Sequence, residues 1–212
     1  MFEVEKRVFL TPEKLEELKK FFAANGKFHE TFKRFTIVSI DRSDFKIAQS
    51  TKDNPLDIRV RSTGDDSKLT VKYGNWHNDQ GRQESELLFK TKDFKEAINM
   101  LRLMGLKYFI ATYIERYAYN YKGFEITLDK YFTSDRSIME IELMVEKQEG
   151  TSEAEKRIRE LISELKLEEV NRDDFVNWVQ EMNLDKKVQL NLEKDSLDEW
   201  YSRWEEYIWC RK

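Results

Sequence analysis

The sequence contains a single cysteine, Cys210, so no disulfide can close within the chain. A reducing, cytoplasmic setting is the expectation that follows. Histidines are almost as scarce: His29 and His77, with one thiol between them, make no zinc site of the usual Cys/His kind. No apolar run approaches the ~20 residues of a membrane-spanning helix. Charges begin at the third residue, so no secretory signal is expected either. Basic residues are not in surplus: 37 Lys and Arg stand against 41 Asp and Glu, for a net charge of −4. That balance argues against general affinity for nucleic acid, which needs excess positive charge. It leaves room for a small anion in a locally basic site.

What the chain does have is charge of both signs and aromatic bulk. Charged residues make up 37% and aromatics 13% of 212 residues. The aromatics supply a core and exclude the disordered class. The length suits one domain, or one domain with an extension.

The charges are patterned. In Phe2–Leu10, side chains alternate across a strand, which puts Glu3, Glu5 and Arg7 on one face and Val4 and Val8 on the other. The same alternation places Arg59 and Arg61 opposite Ile58 and Val60. It places Lys68, Thr70 and Lys72 opposite Leu69, Val71 and Tyr73. Arg82, Glu84 and Glu86 follow. Then come Glu125, Thr127 and Asp129 opposite Phe124, Ile126 and Leu128, and Glu140 and Glu142 opposite Met139, Ile141 and Leu143. One such strand is an ordinary solvated face, or an edge protected by charge. Six with like charges two residues apart suggest one shared surface whose charges need compensation. Divalent cations compensate carboxylates, and polyanions compensate arginines and lysines.

Between these strands the pattern is helical. Thr11 caps a helix that has Pro12 at its first position, Leu15, Leu18 and Phe22 inward, and Gly26 as its stop. Residues 31–40 read as a strand and 41–55 as a loop with a short strand. Strands are expected at 57–62, 68–73 and 82–89, with a turn-rich link at 74–81. Asp93-Phe94-Lys95-Glu96 opens a helix with Phe94, Ile98, Leu101 and Met104 inward, ended by Gly105. Strands follow at 107–121, 123–132 and 138–146. Ser152 is expected to cap a helix carrying Ile158, Leu161, Ile162 and Leu165. Beyond residue 168 two more helices are expected, one with Phe175, Val179 and Met182, one capped by Ser196 with Leu197, Trp200 or Tyr201, Trp204 and Ile208 on one side. Long runs of consecutive strands argue for an antiparallel α+β fold.

In order along the chain, these motifs resemble the CYTH family, the triphosphate tunnel metalloenzymes. The family's E-x-E-x-K resembles Glu3-Val4-Glu5-Lys6-Arg7, with Arg for the final Lys. Its basic strand resembles Arg59-Val60-Arg61, its leucine-threonine strand Leu69-Thr70-Val71-Lys72, and its R-x-E-x-E Arg82-Gln83-Glu84-Ser85-Glu86. Leu128-Asp129 and Glu140-Ile141-Glu142 complete the set, and the resemblance spans roughly residues 2–165. Two departures stand out. Ile114-Glu115-Arg116 replaces a K-x-R, and the loop from Phe132 to Ser137 lacks the family's glycines.

The resemblance implies a closed eight-stranded antiparallel β-barrel, a tunnel, with helices packed outside and charges within. It implies a tunnel domain over residues 1–167. Residues 168–212 then form an aromatic-rich helical extension packed on the barrel. It implies that Arg7, Arg59, Arg61, Lys72, Arg82 and Arg116 hold a triphosphate-containing small molecule. It further implies that Glu3, Glu5 and Glu142 hold one metal ion, with Glu84, Glu86, Asp129 and Glu140 available to a second. Glu3, Glu5, Arg7 and Arg116 would be the catalytic groups. Carboxylates without His or Cys select Mg²⁺ or Mn²⁺. The expected activity is release of the terminal phosphate of an inorganic or organic triphosphate. A class IV adenylyl cyclase, forming cyclic AMP and pyrophosphate from ATP, uses the same groups. A triphosphate-binding protein without turnover is the third reading, motivated by the cation missing at Ile114. The protein is expected to be a monomer or homodimer with no membrane partner.

Some residues invite blander readings. Trp76 and His77 suit a loop anchor as well as a stacking surface, and His29 suits a structural role. Trp178, Trp200, Tyr201, Trp204, Tyr207 and Trp209 suit a packed helical layer, a partner contact or a base-stacking surface.

Overall fold

Strand alternation and helical stripes account for most of the elements in a computed structural model of the protein, which describes residues 2–46, 56–73 and 83–211. The strands are β1 (Phe2–Leu10), β2 (Lys27–Ile40), β3 (Leu56–Thr63), β4 (Asp66–Tyr73), β5 (Gln83–Lys90), β6 (Tyr108–Tyr121), β7 (Phe124–Tyr131), β8 (Ser137–Val145) and β9 (Gln189–Asn191). The helices are α1 (Pro12–Asn25), α2 (Phe94–Leu103), α3 (Thr151–Glu164), α4 (Arg172–Leu184) and α5 (Leu197–Ile208).

Local chemistry sets several boundaries. Thr11 Oγ1 accepts from the Lys14 N–H at 3.3 Å, and Ser196 Oγ accepts from the Glu199 N–H at 3.3 Å, so both expected caps are made. Ser152 is not a cap. The helix begins one residue earlier, at Thr151, after a short 3₁₀ turn at Gln148–Gly150. Gly26 ends α1 for a reason of space rather than twist. Its φ is −104°, open to any residue, but a Cβ there would lie 2.9 Å from the Phe22 carbonyl oxygen and 3.2 Å from that of Asn120. At the β6–β7 hairpin the demand is conformational: Lys122 and Gly123 have φ of 52° and 84°, both left-handed, as a two-residue type I′ turn requires.

The chain divides into two compact units, Met1–Phe32 with Ile114–Phe175, and Lys33–Tyr113 with Val176–Lys212. In the first, strand order is β1-β8-β7-β6-β2, with antiparallel pairing of β1 with β8, β7 with β8 and β6 with β7. Its core joins Val4 and Val8 to Leu15, Leu18 and Phe22 of α1 and to Ile158, Leu161 and Ile162 of α3. In the second, the order is β2-β3-β4-β5, and the start of β6 takes β9 as an antiparallel partner. Its core gathers Phe35, Ile37, Val60, Phe94 and Ile98 around Trp200 and Trp204. The Phe35 ring lies 6.1 Å from that of Trp200 and 5.4 Å from that of Trp204, so these two tryptophans of the extension are core residues.

The closed barrel is corrected. Among the described residues the sheet is open, with β1 at one end of the strand order and β5 at the other, unpaired with each other. One feature disfavours closure: the outer edge of β1 is already in use, because the Val170 N–H donates to the Arg7 carbonyl at 2.8 Å. Sequence patterning missed β9, which is only three residues long, and the first four residues of β2. Among the described residues no helix is long and apolar enough to cross a membrane.

Candidate functional site

Alternation puts the apolar residues of each strand into a core, and the opposite face then carries the charges. In the first unit that face is built by register: Glu5 stands opposite Glu142, Arg7 opposite Glu140 and Arg116 opposite Asp129. Arg116 donates to Asp129 through Nε at 2.6 Å and Nη2 at 2.5 Å, and Nη2 also donates to Glu140 Oε2 at 2.9 Å. Arg7 Nε donates to Glu140 Oε1 at 3.0 Å, and Arg7 Nη2 pairs with Glu5. Two arginines and three carboxylates thus form one chain of ion pairs: Glu5, Arg7, Glu140, Arg116, Asp129.

The charges in this chain are unequal. Burial pushes the Glu5 carboxyl up to about 8, with Glu140 and Glu142 adding to the rise and Arg7 opposing it. Burial also works against Glu140, but Arg116 and Arg7 overcome it and hold that carboxyl below its ordinary value. Arg116 lies above its ordinary range: burial pulls it down, and the hydrogen bonds and charge of Asp129 more than compensate. Glu140 therefore keeps the negative charge and Glu5 takes the proton, as two close carboxyl groups must.

The donor chemistry fits a hard divalent cation. Glu5, Glu140 and Glu142 offer oxygen only, and the proton on Glu5 stands where added positive charge is wanted. Among the described residues no three acidic, His or Cys side chains already converge as an ion cage. The side chain of Glu3, which the resemblance adds to the set, lies outside the described residues. Asp129 is committed to Arg116.

In the second unit the charged face is mainly basic. Arg59 grips the buried carboxylate of Asp57 through Nε and Nη2, both at 2.6 Å. Lys72 pairs with Glu84 at 2.8 Å and Lys68 with Glu86 at 2.5 Å. Arg61 differs from these. Its Nε is buried and makes no hydrogen bond among the described residues. Burial, with Arg34 and Arg59 alongside, pulls its guanidinium down to about 10, while Asp57 and Glu84 only partly offset them.

The sequence-expected residues therefore fall into two groups: Glu5, Arg7, Arg116, Asp129, Glu140 and Glu142 in the first unit, and Arg59, Arg61, Lys72, Glu84 and Glu86 in the second. Arg82, Trp76 and His77 lie outside the described residues. Sequence reasoning missed Arg34, Asp57 and Phe175. Asp57 shares the face of Arg59 by simple alternation and was legible. Arg34 was legible too, since Phe35 and Ile37 fix the opposite face of β2 as the buried one. Phe175, whose ring centroid lies 4.7 Å from Arg7 Cζ, gave no signal beyond a helical stripe.

A family model described as the CYTH domain matches residues 1–174. No curated protein matches the sequence. Among solved structures, the PH1819 protein of Pyrococcus horikoshii OT3 has a TM-score of 0.60 at 20% identity, covering 85% of this chain and 99% of its own. A protein of Vibrio parahaemolyticus, named as a candidate adenylate cyclase, gives a TM-score of 0.56 at 14% identity, with 81% and 94% covered. HpAC1 of Hippeastrum gives 0.52 at 12% identity, with 84% and 95% covered; it is named as a candidate adenylyl cyclase and described as having a dominant triphosphatase activity.

Proposed function

The chain belongs to the CYTH domain family, and from that premise we propose that it is a divalent-metal-dependent triphosphatase, releasing the terminal phosphate of an inorganic or organic triphosphate. The observation that carries this reading is Arg61, a half-buried guanidinium beside Arg34 and Arg59 whose covered Nε has no hydrogen-bond partner among the described residues. Such a cluster stabilises a polyanion, and guanidinium groups present paired N–H donors to phosphate oxygens. In its own unit the Glu5–Glu140 pair has the opposite need, which a divalent cation would meet.

In this reading Glu3, Glu5 and Glu142 would hold a divalent ion. When bound, Mg²⁺ or Mn²⁺ neutralises phosphate oxygens and acidifies a coordinated water. Arg59, Arg61, Lys72 and Arg82 bind the phosphates, and Asp57 aims Arg59. Arg7 and Arg116, already oriented by carboxylates on neighbouring strands, stabilise charge that builds up on the transferred phosphoryl group.

A second reading, binding without turnover, is favoured by Ile114, a buried apolar residue at the position where the family's K-x-R carries a cation. Product analysis with Mg²⁺ or Mn²⁺ on inorganic triphosphate, ATP, GTP and thiamine triphosphate separates the readings. Orthophosphate is expected. Cyclic AMP with pyrophosphate from ATP would replace the hydrolase by a cyclase, and tight binding with no product would leave a binding protein.

A further inference from the structure

Arg7 occupies the position where the family motif has lysine. The two side chains differ in shape: a lysine ammonium is a point charge, whereas a guanidinium has flat faces that stack on aromatic rings. One face of Arg7 is covered. The Phe175 ring centroid lies 4.7 Å from Arg7 Cζ. The edge of the guanidinium is engaged as well, with Nε donating to Glu140 at 3.0 Å and Nη2 paired with Glu5. Its plane is thus fixed by two carboxylates and one ring.

Phe175 is itself held in place. It lies in the first turn of α4, where its N–H donates to the Asn171 carbonyl at 3.1 Å. Asn171 caps that turn, accepting from the Asp174 N–H at 2.9 Å. The residues just before are clamped along β1, through the Val170 N–H to the Arg7 carbonyl at 2.8 Å and Glu169 to Lys6 at 3.1 Å. The strand that carries Arg7 and the helix that carries Phe175 therefore share a short, hydrogen-bonded connection. The CYTH match ends at residue 174, one residue before the ring.

We propose that Phe175 is a positioning residue for Arg7, holding the guanidinium plane across Glu5 and Glu140 so that its remaining N–H donors are aimed at the triphosphate. This rests on the functional reading above for its ligand, but not for its geometry. A ring attracts either cation, but only a guanidinium has a plane for it to orient, so Arg7 and Phe175 work as a pair.

Two measurements on the full-length protein test the proposal. The first is the Arg7 Nε–H signal in ¹⁵N-labelled protein, assigned by its disappearance in Arg7→Lys. A ring-current-shifted, slowly exchanging signal is expected in the wild type, and Phe175→Leu should abolish the shift. An unchanged signal overturns the proposal whatever happens with triphosphate. The second is calorimetric binding of inorganic triphosphate with Mg²⁺. Phe175→Leu should bind roughly 2- to 30-fold more weakly, the range of a partly to fully desolvated cation–π interaction, and Phe175→Trp should restore binding. In an Arg7→Lys background, Phe175→Leu should weaken binding less, since an ammonium has no plane for the ring to orient. Equal weakening in both backgrounds would make Phe175 merely structural and overturn the pairing. If the wild type binds no triphosphate, the functional reading fails, and the Nε–H signal still decides the geometry.

Discussion

Arg116 and Asp129 face each other across the β6–β7 ladder, and the guanidinium engages both carboxylate oxygens, at 2.6 and 2.5 Å. Asp129 is 2% exposed, so its charge cannot be left to water. Truncating one partner of a buried pair costs roughly 3–5 kcal/mol, because the other charge is stranded. Arg116→Met should lose stability of that order in urea unfolding without metal. Asp129→Asn should lose less, since Arg116 keeps Glu140 at 2.9 Å. The double variant should be less destabilised than the sum of the singles. Strict additivity would show that the pair is energetically idle.

That pair also marks what a sequence can and cannot reveal. Alternation assigned Asp129 to the charged face of its strand, as it did Arg59, Arg61, Glu5 and Glu140, while Arg116 was named through the family resemblance. Which charges neutralise each other depends on cross-strand register, and alternation fixes register only to parity. So the commitment of Asp129 to Arg116 and the protonation of Glu5 came only with the structure. The charge on Glu5 is a balance among three neighbours on two strands. The closed barrel came from family likeness and not from these residues. Its failure is a matter of backbone, since Val170 occupies the edge of β1. Phe175 was hidden because a ring's partner across about 170 positions of chain leaves no periodic trace.

The protonation of Glu5 makes stability depend on pH. Its carboxyl is raised from an ordinary 4.5 to about 8. Between those values the folded state holds a proton that the unfolded chain gives up. The contribution of Glu5 is therefore complete below pH 4.5 and is lost as pH rises to about 8. With metal chelated, the wild-type unfolding midpoint should fall over this window relative to Glu5→Gln, whose profile should be flatter. Metal that binds here must displace the proton. Calorimetry in buffers of different ionisation heat should show roughly one proton released on Mg²⁺ binding at neutral pH, and none for Glu5→Gln. Parallel profiles for the two proteins would remove Glu5 from the titration.

The C-terminal tryptophans should act through stability. Trp200 is 2% exposed and packs with Phe35 in the core of the second unit. Trp200→Ala should cost about 3–5 kcal/mol, as large-to-small core changes of an indole do. Chemical denaturation measures this directly. Triphosphate affinity per folded molecule should be unchanged at a temperature where the variant is folded. A fully stable variant with impaired self-association would instead assign Trp200 to a partner surface.

Arg61 should show the opposite behaviour, with function and stability in conflict. Its guanidinium is half-buried with Nε covered, stands near Arg34 and Arg59, and is pulled down to about 10 by burial first and by their charge second. An apolar side chain of similar length removes both the desolvation of this charge and its repulsion by Arg34 and Arg59. Arg61→Met should therefore raise the unfolding midpoint of the ligand-free protein. The same change removes charge-assisted hydrogen bonds worth about 1.5–3 kcal/mol each, so triphosphate affinity should fall roughly 10- to 150-fold for each such bond removed. Mg²⁺ affinity without triphosphate should stay the same, because Arg61 is grouped with the basic cluster and not with Glu5 and Glu142. Sulfate or phosphate, but not chloride, should close the stability gap by stabilising the wild type alone. A variant less stable than the wild type, with triphosphate affinity intact, would make Arg61 a structural ion-pair partner and take away the observation on which the triphosphate reading rests.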